Sequence, residues 1–376
     1  MPLRAAVFAC LFFVPTALAL AQFPAAQHGN GELTHVQGVP VLTVRGTPTE
    51  IGEQFGVLAG RNAPGLQTLQ AQFLKDAGLE DGFEAIKVLA RRLKANMPDD
   101  HRTELESAAK TGLDMDTLLF AASVYDLSSG MGCSTIVVET ERSTTGQPLF
   151  GRNFDWIPTK GLPEHTLVVV FKPTGKRAFA TVTFSPITGC ISGMNDAGLC
   201  CTINEIPLKH SKDKAGFNWA GVPTLLAFRR VLEEGTTVTE AEKLLRDIPR
   251  TTTSCLTVCD PNGGAVFEIT PKSLEVRSAV NGVMCCTNHF VSDKLGVGRP
   301  CARLPKLLKL QSEQAKLGLT EVFSQLHEVS QGRKTLQAMI FEPASRKLHL
   351  KLGDLKESAT LKDAVTLDLG TMFDSK

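Results

Sequence analysis

From residue 133 onward the chain breaks into short β-rich runs parted by turn signals, and that succession limits its fold more than any other feature. CSTIVVET, PLFGRNFDW, TLVVVFKP and AFATVTFSP follow one another, separated by signals such as Thr145-Gly146 and the PTGK of residues 173–176. CISGMNDAGLCCTINEI adds a further pair around Asn195–Gly198. A helical block then interrupts: VPTLLAFRRVLEEG, and TVTEAEKLLRDI with a Thr cap and a Glu shortly after it. Strands resume at SCLTVCDPNGGAVFEIT, turning on Pro261–Gly264, and continue through GVMCCTNHF. Helix-like segments fill about 301–332, and TLQAMIFEPASRKLHLKLG makes a last hairpin. Strands, then helices, then strands predict an α+β chain: two mainly antiparallel sheets with helices packed outside, in four layers.

The N-terminal third reads as mostly α. VPVLTVRGTPTEIGEQFGVLAG (39–60) runs from a short strand through a Gly-Thr-Pro turn into a helix that Thr47 or Thr49 can cap. Residues 66–130 keep helical periodicity with polar breaks. Ahead of them, Met1–Arg4 is a positive start, Ala5–Leu20 is apolar, and Ala19-Leu20-Ala21 is a small-x-small site. That predicts a secretory signal peptide over 1–21, cleaved after Ala21 with Ala19 as the alternative, and an exported product. No later segment is apolar enough to predict a membrane span.

Composition excludes several function classes. At 43% hydrophobic and 21% charged the chain is globular, and 40 Lys and Arg against 39 Asp and Glu leave no global pull toward nucleic acid or anionic lipid. The runs Arg91–Lys94 and Lys209–Lys214 read as solvated surface. Ten cysteines become nine once Cys10 leaves with the leader, and an odd count in an exported chain predicts a free thiol. Most of the others read as small buried thiols; Cys255 and Cys259, four apart on one strand, are too distant to bond each other. Cys285, Cys286 and His289 are close enough to suggest zinc, but the paired C-x-x-C spacing is absent.

Cys133 heads the first β-run, and GRNFD occupies the next. A turn centred on Thr144 would set Cys133 opposite Asp155, with Arg152 and Asp155 on opposite faces unless the strand bulges or ends near Asn153. On residue types alone Cys133 is either an inert buried thiol or a nucleophile.

GCSTIVV…LFGRNFDW resembles the start of the catalytic chain in N-terminal-nucleophile (Ntn) cysteine hydrolases, the group of choloylglycine hydrolases, acid ceramidase, N-acylethanolamine amidases and penicillin acyltransferases. GMNDAGLCCTINE (193–205), TNHF (287–290) and GRPCAR (298–303) match in order. The upstream GTPTEIGEQFG resembles the pro-segment of the penicillin acyltransferase branch, and the likeness spans about residues 40–350. It implies the αββα Ntn-hydrolase sandwich, a pro-segment over 22–132 and a catalytic chain over 133–376. It further implies self-cleavage at Gly132–Cys133, with the cut pro-segment as an associated chain.

The same resemblance implies Cys133 as nucleophile, Arg152 and Asp155 as the pair after it, and Asn204 and Asn288 as site residues, both expected to offer amide donors to the oxyanion. Arg303 matches the late arginine, with Arg299 competing for that role. It implies no cofactor and no metal. Self-cleavage would leave Cys133 with a free α-amine, whose ordinary pKa of about 7.7–8.0 suits a general base. The thiol and its base would then share one residue. The expected substrate is a small-molecule N-acyl amide, cleaved through a thioester that finishes on water or on an amine. Trp219, in the loop 206–223 after Asn204, is a candidate pocket wall. Two other readings stay open: a papain-like triad of Cys133, His289 and Asn288, and an exported binding protein on the same fold. His165 and His210 show no spacing to argue from.

Overall fold

The computed structural model describes residues 23–63, 65–298 and 301–375. The expected leader and Arg299 lie outside the described residues. No helix among the described residues is long and apolar enough to cross a membrane.

Among the described residues, sixteen strands form two sheets. In chain order they begin with β1 (Ala26–His28), β2 (Gly31–Val36), β3 (Val39–Gly46), β4 (Gly132–Val138) and β5 (Leu149–Asp155). Next come β6 (Thr166–Pro173), β7 (Phe179–Phe184), β8 (Ser192–Asn195), β9 (Cys200–Glu205), β10 (Ser254–Asp260) and β11 (Gly263–Ile269). The last are β12 (Leu274–Arg277), β13 (Val283–Cys286), β14 (Thr335–Glu342), β15 (Lys347–Leu352) and β16 (Val365–Asp368). One sheet has ten strands in the order β1-β2-β3-β6-β7-β8-β9-β10-β11-β12, and the other six in the order β13-β4-β5-β14-β15-β16. Only the β3–β6 pairing is parallel among those described.

The apolar clusters define four layers. Val168, Val170, Val182 and Val266 of the larger sheet pack with Val137, Phe150, Met339 and Leu350 of the smaller one. The alternate residues of the larger sheet, such as Val169, Phe171, Ile203 and Phe267, face outward to helical side chains including Phe55, Leu225 and Leu232. Ile136, Val138 and Ile340 of the smaller sheet face Leu304, Leu307, Val322 and Leu326 of the opposite helical layer. Side chains alternate between the two faces, and the central strands are apolar on both, which forces helices onto each outer face.

Local signals set the helix ends. Thr47, not Thr49, caps the helix Pro48–Phe55 in a capping box with Glu50, and Thr237 caps Val238–Asp247. The N-terminal third departs from its helical expectation, because three strands stand where the sequence suggested one. AQH and GELTHV carry little apolar alternation, and they pair only because β3 extends the larger sheet.

A buried charge network ties this segment to the rest. Glu104, on the helix Asp99–Lys110, takes both ends of the Arg229 guanidinium at 2.6 Å each. Arg229, on the helix Thr224–Glu234, also donates from Nε to Glu233 at 2.8 Å. Glu233 in turn meets His101 Nε2 at 2.9 Å and Lys176 at 2.6 Å. Burial alone would raise the Glu233 pKa, yet Arg229 and His101 hold it well below the carboxylate range.

The cysteines are all unbridged among the described residues, and all but half-buried Cys301 are buried. Cys285 faces the outer helical layer and Cys286 the space between the sheets, so the two cannot share one zinc ion with His289.

Candidate active site

The β4–β5 hairpin is one residue out of the register expected from a turn at Thr144. Cys133 lies opposite Phe154, Gly132 opposite Asp155 and Thr135 opposite Arg152. A one-residue shift exchanges faces, so Arg152 now shares the Cys133 face with no bulge in its own strand. Asp155 falls on the other face, at the strand's end. The nearby irregularity is in the partner strand β14, between Thr335 and Gln337.

Two bridges between the sheets bracket the thiol. Arg152 Nη1 donates to the Ile203 carbonyl at 2.6 Å, and the Glu205 carboxylate accepts the Met131 N–H at 2.6 Å. Asn204 sits between these anchors, opposite Cys255, and therefore faces the smaller sheet. Neither its amide nitrogen nor its oxygen has a partner, and the same is true of Arg152 Nε and Nη2. Buried polar groups left unpaired cost about 1–3 kcal/mol each, so their collection beside one thiol marks a place that a reacting group can fill.

The backbone of Cys133 is gripped on both sides. Its N–H donates to Asn288 Oδ1 at 2.9 Å, and its carbonyl accepts from Arg303 Nη1 at 2.7 Å. Arg303 Nη2 donates to the same Asn288 oxygen at 2.8 Å, and Nη1 reaches Asp155 Oδ2 at 3.4 Å. The Asn288 amide nitrogen donates to the Glu205 carbonyl at 2.8 Å and lies 3.4 Å from the Met131 carbonyl. Asp155 also accepts from Gln331 Nε2 at 2.6 Å and from Thr335 Oγ1 at 2.5 Å. Burial raises its pKa, against the pull of Thr335, Gln331 and Arg303. Burial likewise raises the Cys133 thiol, and Arg152 and Arg303 oppose it.

Gly132 does not sit in the left-handed region where glycine is conformationally favoured. Space explains it instead. A Cβ there would lie 2.2 Å from Gln331 Nε2 and 3.2 Å from Asp155 Oδ2.

Cys133, Arg152, Asp155, Asn204, Asn288 and Arg303 are thus gathered at one end of the two sheets. Trp219 is not among them. Its ring stacks against the Arg92 guanidinium at 4.8 Å, and its carbonyl accepts from Asn96 at 2.7 Å, both in the N-terminal segment. Its neighbour Phe217 lines a cavity of about 770 Å³ beside the site, with Tyr125, Ser128, Glu205, Leu208 and Thr253. His289 turns its Nδ1 to the Cys301 N–H at 3.3 Å, and no hydrogen bond joins it to Cys133.

A family model described as Acyl-coenzyme A:6-aminopenicillanic acid acyl-transferase matches residues 141–299, less than half of the chain. Over residues 141–299 the chain is therefore similar to the penicillin acyltransferases. The match holds Arg152, Asp155, Asn204 and Asn288; it begins after Cys133 and stops before Arg303.

No curated protein matches this chain. Solved structures similar to it include a Caenorhabditis elegans N-acylethanolamine-hydrolyzing acid amidase ortholog, 21% identical at TM-score 0.44, covering 56% of this chain and 93% of that one. A conjugated bile acid hydrolase variant from Clostridium perfringens is 16% identical at TM-score 0.48, covering 65% of this chain and 95% of that one. Penicillin V acylase from Agrobacterium tumefaciens is 15% identical at TM-score 0.42, covering 63% and 92%.

Three further residues at the site stand outside the set expected from the sequence. Gln331 and Thr335 lie beyond every motif in this chain, and only the β5–β14 pairing brings them to Asp155. Glu205 ends the very stretch that supplies Asn204, so its position one residue past a site amide was a usable signal.

Proposed function

We propose that this chain is an autoproteolytic Ntn hydrolase or acyltransferase that cleaves linear N-acyl amides through a thioester on Cys133. The observation that carries the reading is the double grip on the backbone of Cys133: Asn288 accepts from the nitrogen that self-cleavage would turn into an amine, and Arg303 donates to the carbonyl of the same residue.

In the first step the Cys133 sulfur attacks the Gly132 carbonyl carbon. The Gly132–Cys133 C–N bond breaks, the nitrogen takes the thiol proton, and a thioester joins Gly132 to the sulfur. Water then hydrolyses that ester to a Gly132 carboxylate and a free thiol. The new α-amine inherits the acceptor Asn288 Oδ1 and lies near the Asp155 carboxyl, and both orient it as general base.

A substrate amide repeats the cycle. The amine takes the Cys133 proton as sulfur attacks, and it returns that proton to the leaving nitrogen as the C–N bond breaks. Water or a second amine takes the acyl group from the thioester. Asn204 serves as an oxyanion donor, since its amide is uncommitted, whereas the Asn288 amide is already spent on the Glu205 carbonyl. Arg152 favours the thiolate. We extend the proposal to export after loss of a leader ending at Ala21, and to a cut segment, 22–132, that stays bound through β1–β3 and the Arg229 network.

The test is a panel of N-acyl amides of graded acyl length, assayed with the processed protein and with Cys133→Ala. Turnover that depends on Cys133, with an acyl mass trapped on that residue, supports the reading. Turnover undiminished in Cys133→Ala would overturn it.

A further inference from the structure

Glu205 stands beside the site in a role that ends when the chain is cut. The residue is only 9% exposed, and its carboxylate accepts the N–H of Met131 at 2.6 Å and that of Gly130 at 3.1 Å. No other side chain or amide among the described residues donates to it, and no Lys or Arg pairs with it. Burial raises its pKa against the pull of these two amides. It lines the cavity of about 770 Å³, whose wall also holds Ser128 and Ser129 of the same strand-like tail.

Self-cleavage, on the reading above, places a new carboxylate on Gly132 next to the buried Asp155 carboxyl, since a Cβ on Gly132 would already lie 3.2 Å from Asp155 Oδ2. Like charges at that range in a buried site repel strongly. Gly130, at φ 114°, gives the tail a pivot on which to leave. Once it leaves, Glu205 is a buried acceptor with no partner, a state that costs stability until a donor arrives.

In self-cleavage Gly132 is the acyl group, so Met131 and Gly130 occupy the place of the acyl chain of a later substrate. The Met131 nitrogen lies five bonds back from the Gly132 carbonyl carbon, and the Gly130 nitrogen eight. The Met131 side chain is buried in the apolar cluster that contains Cys133, Phe154 and Trp156. We infer that Glu205 is a specificity residue of the processed enzyme, selecting acyl groups that carry an N–H donor about five bonds from the scissile carbonyl on an otherwise apolar body. The substrate class is therefore peptide-like or amino-substituted acyl amides, not plain fatty acyl amides. The inference rests on the proposed self-cleavage and on Cys133 as nucleophile.

The test uses processed two-chain protein and two anilides that differ in one atom, 5-acetamidopentanoyl anilide and 5-acetoxypentanoyl anilide. The first offers N–H where the second offers only ester oxygen. The wild-type kcat/KM should favour the acetamido substrate by about 10- to 100-fold, the worth of a hydrogen bond to a charged group. Glu205→Leu should bring that ratio near unity, and Glu205→Gln, which keeps an acceptor oxygen, should leave it intermediate. The wild-type ratio stands whether or not a variant folds. A wild-type ratio near unity overturns the inference while leaving the amidase reading intact, and so does an undiminished ratio in processed Glu205→Leu. Turnover of neither anilide, or of any other N-acyl amide, overturns both.

Discussion

Asn288 Oδ1 accepts the backbone N–H of Cys133 at 2.9 Å, while Arg303 Nη2 donates to that same oxygen at 2.8 Å. The arginine fixes which way the amide points, so the acceptor is set before any amine exists. The two asparagines therefore act differently, with Asn288 orienting the base and Asn204 left free to donate.

That division predicts different kinetics for the two alanine variants. Asn204→Ala should lower kcat roughly 10²–10³-fold in correctly processed protein, the usual loss for one oxyanion donor, with the pH profile unmoved. Asn288→Ala should lower kcat by a similar factor and also shift the acidic limb of the profile, because the amine loses its orienting acceptor. Identical profiles for the two variants would remove the distinction.

His289 should be dispensable. Its ring is turned to the Cys301 N–H, and burial, with His210 and Arg303 nearby, lowers its pKa. His289→Gln is expected to keep most activity toward an N-acyl amide. A well-folded but nearly inactive His289→Gln protein would favour a papain-like pairing with Cys133.

Arg229 should hold the two segments together after cleavage. Arg229→Met leaves Glu104 and Glu233 buried without their partner and should cost about 3–5 kcal/mol, read as a lower Tm and as loss of the 22–132 segment on gel filtration. Because the folded Glu233 pKa lies below its ordinary value of 4.5, its stabilisation is present above that value and lost as pH falls through the folded pKa. The segments should therefore stay together at pH 5 and part only in stronger acid. Separation between pH 5 and 7 would contradict the assignment.

Asp126 acts with the opposite sign. Asp126 is half-buried, and the desolvation of its carboxyl raises it from 3.8 to about 6 against the pull of the Thr251 and Thr224 hydrogen bonds. A raised acid favours the folded state below 3.8 and loses that contribution as pH rises through about 6. Asp126→Asn should flatten this part of the Tm-versus-pH curve, which thermal melts at pH 4 to 8 will read. An unchanged slope would place the titration elsewhere.

Much of this fold was legible because the central strands are apolar on both faces and the turns are strong. The hairpins at Asn195–Gly198 and Pro261–Gly264 and the helix cap at Thr237 stand where the sequence put them. The β4–β5 register was not, since ETERSTTGQ admits several turn centres, and the one-residue difference decided the face of Arg152. β1 and β2 were hidden by polar residues, and Gln331 and Thr335 by their distance along the chain from Asp155. Trp219 drew notice as a large aromatic in the right loop, but its indole covers Arg92 on the outer surface while Phe217 faces the cavity.

The central claim is that the amine of Cys133 is made by the protein itself. Intact mass and N-terminal sequencing of the active, purified protein test it most directly. The expected result is two associated chains, one of them beginning at Cys133, with Cys133→Ala remaining a single chain. An active enzyme in which the Gly132–Cys133 bond is uncut would contradict the account.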